Sequence, residues 1–316
     1  MPPEATGSRV KEVAAGVGLT GVIFAISANL PILGFFTALA IPLPVLVYRI
    51  RLGRKPGAMV AGGAVGLMLL AYGRPTVDLL YFSELLLIGY LLAESLAARR
   101  PVEAAVLHPA AAAVVSGVVV LTVAANANGQ GLVTAVSEYV AANLALSLKL
   151  YESMGISAEH IQTIEESADL IREVIVRLMP AGAAILALMV TWITLLLGRA
   201  LLRSQEMAFP DYGPLNRWKP PEVLVWVVIA CGVGVMMPDL TIKTIAINGL
   251  LVSLTVYFLA GIAIVAWFFE KKGIPRLVRV FLYSLIVMQQ LFLLLVIGLG
   301  LFDVWLDFRK LEPKTD

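Results

Sequence analysis

Ionisable side chains near one apolar segment form the most suggestive chemical cluster in this sequence. Glu84 lies about one helical turn inside the apolar run that starts near residue 79, and Arg74 and Asp78 come shortly before it. Arg74, Asp78 and Tyr81 follow helical spacing, so they can line one pocket with Glu84. Ionisable groups inside a membrane are costly and are functional candidates by default. The alternative interpretation is an ion-paired helix end at the level of the lipid headgroups.

Two amide side chains extend this cluster if the apolar segments alternate across a membrane. Asn29 ends the first segment and Asn126 ends the fifth, which predicts that both lie on the external side. Amides there can hydrogen-bond a polar ligand, although plain turns also explain them. The predicted ligand-binding residues are Asn29, Arg74, Asp78, Tyr81, Glu84 and Asn126.

Other polar groups within or beside apolar segments have simpler explanations. Glu94 is close in sequence to Arg99 and Arg100, which predicts an ion pair at the membrane surface. Asn248 lies within the eighth apolar segment, where an interhelical hydrogen bond is the expected role.

Two acidic residues, one helical turn apart, lie at the end of the last apolar segment. Asp303 and Asp307 share a helix face, so a cation site is conceivable. Pairing with Arg309 or Lys310 explains them better, because these cations follow within a few residues.

Composition excludes several classes of site. The single cysteine, Cys231, permits no intrachain disulfide, and with only His108 and His160 besides it a Cys/His zinc site is excluded. The sequence has no Gly-rich phosphate loop, no Ser-His-Asp set and no basic nucleic-acid stripe. We therefore expect no catalytic residue, no metal, no cofactor and no nucleic-acid partner, and we do not expect an enzyme.

The hydrophobicity of the chain predicts a membrane protein. It has 59% hydrophobic and 15% charged residues, whereas soluble domains have about 45–50% and about 25%. A spanning helix needs about 20 apolar residues. The expected fold is an all-α polytopic membrane helix bundle of about nine (eight to nine) transmembrane helices, because the seventh candidate is short. The candidates are 12–29, 32–50, 56–73, 79–98, 104–125, 180–202, 222–237, 244–269 and 277–302.

The distribution of Lys and Arg predicts the orientation. If the segments alternate from a cytoplasmic N-terminus, 16 cations fall on the cytoplasmic side and five on the external side before the tail. Cytoplasmic loops of membrane proteins carry such an excess. The expected location is the cell membrane, with the N-terminus in the cytoplasm. The basic tail falls outside on a nine-span count, which conflicts with the same rule.

Residues 132–179 form the one large insert between the predicted spans. Apolar side chains recur every three or four residues in its second half, which predicts an amphipathic helix over 157–178. Gly155 can end the preceding helix, and Ser157 can cap this one. We expect an extramembrane helical hairpin that packs on itself or on the bundle, or else acts as a lid or docks a partner.

Three stretches give the chain a resemblance to the YybS-like family of predicted bacterial membrane proteins. They are the Pro-Leu-Pro segment and the basic residues that follow it at 42–55, the loop FPDYGPLNRWKPPE at 209–222 and the ending LGLFDVWLDFRKL at 299–311. This resemblance implies a multi-pass bacterial membrane protein and assigns no activity.

Residues 12–203 also resemble the S component, the substrate-binding membrane subunit of energy-coupling-factor vitamin transporters. In that family, small residues spaced by four on the first helix contact the energising subunit. The resemblance implies this partner-contact role for Ala14 and Gly18, while Val22, next in the register, departs from the pattern. The features that carry it are the Ala/Gly-rich first segment, the second segment broken by Pro42 and Pro44, and the Gly-rich third segment from Lys55 to Gly66.

The expected organisation is a six-span bundle over 1–203, which includes the hairpin, then a cytoplasmic Pro-rich loop over 204–221 and a three-span unit with its tail over 222–316. The predicted function is a small-solute transporter or substrate-binding membrane subunit. Its expected partners are the lipid bilayer, a small-molecule solute and a membrane protein. The alternative is a non-transporting scaffold or regulator that holds a protein partner through the hairpin or the loop.

Overall fold

The computed structural model describes residues 3–207 and 209–310, and all regular secondary structure in these ranges is helical. The fold is therefore all-α, as the sequence predicts. The helices are α1 (Pro3–Asn29), α2 (Pro31–Ala38), α3 (Pro42–Leu52), α4 (Arg54–Tyr72), α5 (Val77–Ala97), α6 (Val102–Ala127), α7 (Leu132–Ser153), α8 (Ala158–Glu166), α9 (Ala168–Ser204), α10 (Leu224–Val235), α11 (Leu240–Lys271), α12 (Arg276–Met288) and α13 (Gln290–Leu306), with a short 3₁₀ helix at Leu215–Arg217.

Six helices in the described ranges are long and apolar enough to cross a membrane unaided, which confirms a polytopic membrane bundle. They are α1 from Arg9 onward, α4, α5, α6, α9 and α11. Three predicted spans are not single straight helices. The segment 32–50 is divided between α2 and α3, 222–237 contains only the 12 residues of α10, and 277–302 is divided between α12 and α13, which are bent by 100°. The prediction of about nine (eight to nine) spans compares with six such single helices in the described ranges, or seven if the bent pair is one span.

Helix α9 changes the predicted boundary of the hairpin. It runs for 37 residues through Pro180 without a break, so the insert predicted to end at residue 179 continues directly into the sixth predicted span. At 1.5 Å per residue α9 is about 55 Å long, well beyond the roughly 30 Å hydrocarbon core of a bilayer. The amphipathic helix predicted over 157–178 is interrupted at Ser167, where α8 ends and α9 begins.

The chain forms two compact units, and the first contains the described residues up to Val176 together with Leu186–Asp211. Helix α3 is central to this unit and packs against α1, α4 and α5. Its Val45 and Leu46 side chains are completely buried. A Cβ at Gly89 of α5 would overlap the carbonyl oxygen of Pro42, so only glycine allows this close approach of α5 to α3.

The second unit contains Arg177–Ile185 and the described residues from Tyr212 onward. Asn248 of α11 accepts a hydrogen bond from the backbone N–H of Ala181 at 2.8 Å and donates to the carbonyl of Arg177 at 2.9 Å. It is therefore an interhelical link, as predicted. Helices α11 and α13 cross closely, because a Cβ at Gly300 would overlap the α11 backbone.

A buried ion pair at the end of α13 is hydrogen-bonded to the loop before α10. Arg309 Nη2 lies 2.8 Å from Asp303 Oδ2, and the two side chains are 0% and 4% exposed. Arg309 Nη1 also donates to the carbonyls of Asn216 and Trp218, at 2.8 and 3.0 Å. We call these four residues the tail clasp. The prediction that Asp303 pairs with a following cation is confirmed, and the two stretches that carry the family resemblance near the C-terminus meet here.

Helices α12 and α13 begin and end beside the same loop. At the end of α11, Glu270 accepts a hydrogen bond from the Asn216 side chain, and α12 starts shortly after it. Just after α13, Asp307 forms an ion pair with Lys219 at 2.6 Å. The bent pair therefore enters and returns instead of crossing the unit. Residues 307–310 therefore lie beside this loop, which the nine-span count did not predict.

Candidate functional site

Helix α5 directs Glu84 away from α1. The helix is capped by Thr76, whose Oγ1 accepts a hydrogen bond from the N–H of Leu79 at 3.1 Å. Phe82 of α5 packs edge-to-face on Phe24 of α1, with ring centroids 5.0 Å apart. At about 100° per residue, Glu84 lies roughly 200° further around α5. Its side chain therefore faces the other side, where α6 packs.

The carboxylate of Glu84 is bound by a hydroxyl of α6. Ser116 Oγ donates to Glu84 Oε2 at 2.8 Å. The other oxygen, Oε1, lies beside Gly117, where an added Cβ would be in ordinary contact with it at 3.9 Å. Glu84 is half-buried, and no ion pair in the described part of the chain includes it. This acid, between two candidate spans, thus has a hydroxyl partner and no cation.

Ser116 can form a hydrogen bond with Glu84 whether the Glu84 carboxyl group is ionised or protonated. Its Oγ lies 2.7 Å from the carbonyl oxygen of Ala112 and 3.1 Å from that of Ala113, but a hydroxyl has only one proton. An ionised Glu84 accepts that proton in a hydrogen bond. A protonated Glu84 can donate to Ser116 Oγ, while Ser116 turns its own proton to Ala112. The pair can therefore take up or release a proton and keep its hydrogen bond.

Three of the other predicted residues lie near the same end of the α5–α6 pair. Arg74 is in the bend before α5, so the helical spacing predicted for it does not hold. Asp78 is exposed on the first turn of α5. Asn126 is exposed near the end of α6, and the antiparallel packing that joins Glu84 to Ser116 puts it level with the bend. In the alternative interpretation, an ion-paired helix end, Glu84 would pair with a cation, but its partner in the described residues is Ser116.

Tyr81 and Asn29 occupy different surroundings. Tyr81 is half-buried on α5, with its ring 5.2 Å from that of Phe82. Asn29 is exposed and donates to the carbonyl of Ala25 in its own helix at 2.8 Å. Because α1 packs on the Phe82 face of α5, the structure does not bring Asn29 to Glu84. Equal predicted depth in the membrane does not determine which side of α5 a residue occupies.

Glu94 of α5 forms ion pairs with two arginines outside its own helix, which the sequence analysis did not predict. Arg49 Nε of α3 lies 2.6 Å from Glu94 Oε1, and Arg54 Nε lies 3.5 Å from the same oxygen. The prediction based on Arg99 and Arg100 missed both. Helix packing, rather than sequence distance, selects the partner.

The predicted partner-contact residues lie on an outer face of α1. Ala14 and Gly18 are exposed, whereas Gly16 and Thr20 on the opposite face are buried. A Cβ at Gly18 would meet no atom within 4 Å. The face is thus open, and its role in binding a partner stays a prediction.

Ser116 is the site residue that the sequence analysis missed. The signal was the short connection of residues 98–101 between α5 and α6. In an antiparallel pair, positions equally far from such a loop lie opposite each other, which places residue 84 across from 115 and 116.

A profile described as "Predicted membrane protein (DUF2232)" matches residues 18–304. The chain is also similar to "Uncharacterized protein YybS" from Bacillus subtilis (strain 168), with 22% identity over 307 residues that cover 93% of this chain and 95% of the relative. No solved structure matches. The predicted YybS-like resemblance is confirmed by these comparisons, and the resemblance to the S component is not.

Proposed function

We propose that this chain, which belongs to the DUF2232 family of predicted membrane proteins, binds a small solute at Glu84 between α5 and α6. It would act as a transporter or as a substrate-binding membrane subunit. The observation that carries the proposal is the half-buried carboxylate in a candidate span that has a serine partner and no ion pair. An ionised acid at such a depth is expensive unless it is neutralised by a proton or by a bound cation.

The chemistry of the pair defines the class of solute. Oε2 is occupied by the Ser116 hydroxyl, while Oε1 has no hydrogen-bond partner among the described residues. A carboxylate oxygen accepts hydrogen bonds and attracts positive charge. The preferred solute therefore carries an amine or another positively charged donor. The exchangeable proton of the Glu84–Ser116 pair offers a means to couple binding to protonation.

Retention of small molecules tests this proposal. The wild type, Glu84→Gln and Ser116→Ala are purified in mild detergent, and co-purified small molecules are identified by mass spectrometry. We expect a cationic solute that is retained by the wild type, lost in Glu84→Gln and reduced in Ser116→Ala. Ser83→Ala is the matched control, because that hydroxyl donates only to the Leu79 carbonyl of its own helix in the structure.

Two results would contradict the solute site. One is the same set of retained molecules in wild type and Glu84→Gln, with both proteins monodisperse and equally stable. The other is a Glu84→Gln protein that no longer folds, which would make the acid structural.

A second candidate function, a scaffold that holds a membrane protein partner, is favoured by the open face of α1. A helix face that contacts only lipid does not require small side chains. Helix–helix contacts in membranes use small side chains to bring the two backbones close together. Ala14 and Gly18 are one turn apart on this exposed face. Gly18→Leu should then remove a stoichiometric membrane partner that co-purifies with the wild type and with the control Gly182→Leu. Gly182 is another exposed helical glycine with no neighbour for an added Cβ. Equal partner recovery in all three proteins would reject the α1 contact.

A further inference from the structure

Helices α4 and α5 leave an open groove between them within the first unit. The cavity has a volume of about 220 Å³. Its α4 wall is made of small side chains, and its α5 wall runs from Ser83 to Tyr90. The residues of the α4 wall are Ala58, Ala61, Gly62 and Val65.

The inside of this groove offers hydrocarbon-like surface and no free polar group at mid-depth. Gly62 has no atom within 4 Å of where its Cβ would be, so the wall is open there. The Ser83 hydroxyl is already used, because it donates to the carbonyl of Leu79 at 2.7 Å. Both helices are candidate spans. The occupant must therefore be apolar along this stretch.

One end of the groove is positively charged. Arg54 precedes Ala58 by one turn and Gly62 by two, so it lies on the same face of α4. Its side chain is 77% exposed, and its Nε is 3.5 Å from Glu94. Arg49 binds that carboxylate more closely, at 2.6 Å, and compensates its charge. Arg54 and the exposed Lys55 thus leave a net positive charge at this end.

We propose that the groove binds an acyl chain of an anionic phospholipid, with the phosphate at Arg54 and Lys55. From Arg54 to Val65 the helix rises about 16 Å, which equals about half of the roughly 30 Å hydrocarbon core, the depth of one leaflet. A partner helix would need a face along the whole span, whereas this groove is one leaflet deep and ends at cations. Charge-assisted hydrogen bonds from Arg and Lys to phosphate are strong and favour the anionic headgroup. This inference does not depend on the solute site at Glu84.

Native mass spectrometry with defined lipids tests the proposal. The full-length protein in mild detergent is titrated with phosphatidylglycerol or with phosphatidylcholine of the same acyl chains. We expect one phosphatidylglycerol adduct that is preferred over phosphatidylcholine. Gly62→Leu fills the groove and should abolish the adduct. Each of Arg54→Ala and Lys55→Ala should lower its apparent affinity about fivefold, which corresponds to roughly 1 kcal/mol per cation.

The matched control is Gly182→Leu, an equal enlargement at an exposed glycine of another candidate span. It should bind like the wild type, and a melting temperature of Gly62→Leu equal to that of the control shows that the variant is folded. Equal adducts with both lipids, or a preference that survives in Gly62→Leu, would overturn the proposal. A wild-type dimer that Gly62→Leu dissociates, without lipid preference, would also overturn it in favour of a helix in the groove.

Discussion

Removal of Arg309 from the tail clasp should be among the most damaging single changes in the second unit. Arg309→Met keeps much of the apolar stem but leaves the Asp303 carboxylate, whose side chain is 4% exposed, without its cation. Loss of one partner from a buried ion pair typically costs about 3–5 kcal/mol. The carbonyls of Asn216 and Trp218 lose their donor as well, so we expect the free energy of unfolding to fall by an amount in the upper part of that range.

The Lys219–Asp307 pair provides a matched control. It joins the same loop to the same tail, but its side chains are 39% and 43% exposed. Exposed ion pairs contribute about 0–1 kcal/mol. Lys219→Met should therefore cost far less than Arg309→Met, although both changes delete one cation from one loop–tail contact.

Thermal unfolding in detergent, followed by size-exclusion chromatography, measures both variants. At roughly 2–4 °C per kcal/mol, a loss of about 4–5 kcal/mol should lower the midpoint by about 8–20 °C in Arg309→Met, and the midpoint should fall by no more than about 4 °C in Lys219→Met. Asp303→Asn added to Arg309→Met should recover part of the loss, because it removes the uncompensated charge. The clasp argument is refuted if the two single variants shift the midpoint equally, or if the effects of Asp303→Asn and Arg309→Met are simply additive.

Three further outcomes follow from the fold. A reporter fused after residue 310 should be on the same side as one fused after residue 210, and both should be cytoplasmic; opposite sides would contradict the re-entrant α12–α13 pair. Gly300→Val should sharply lower the yield of folded protein, because a Cβ there would overlap the α11 backbone, whereas Gly298→Val meets no atom within 4 Å of its Cβ and should express normally. A reporter fused after residue 155 should be external, since a cytoplasmic position there would invert the predicted excess of cations.

Hydrophobicity predicted the spans well where a single helix runs between polar loops. The segments 56–73, 79–98 and 104–125 correspond to α4, α5 and α6 within two residues at each end. Hydrophobicity did not predict the breaks, because an apolar run has the same transfer free energy whether it is straight or bent. The bend at Gln289 is an example: it falls inside one apolar run, at a position with neither proline nor glycine.

Contacts between helices were predictable where the connection is short. Four residues join α5 to α6, and this length alone sets the register that places Ser116 opposite Glu84. The position of Asn29 was not predictable in the same way. Helix α1 is separated from α5 by three other helices in the chain, and only the Phe24–Phe82 packing determines which face of α5 it covers. Depth in the membrane can be read from a sequence, whereas the angle around a helix needs a neighbour of known register.

The stretches that carry the family resemblance near the C-terminus are explained by packing rather than by ligand binding. The loop at 209–222 supplies two carbonyls and Lys219, which bind Arg309 and Asp307 of the ending at 299–311, and Asp303 of that ending pairs with Arg309. The side chains of Lys219, Asp303, Asp307 and Arg309 each have a partner in the other stretch or within their own, and together they hold the end of α13 against the loop. Glu84 differs because one of its oxygens has no hydrogen-bond partner among the described residues and no cation there balances its charge. A search for function among relatives of this chain should therefore begin at the α5–α6 pair, whereas substitutions in the clasp should be interpreted first as changes in stability.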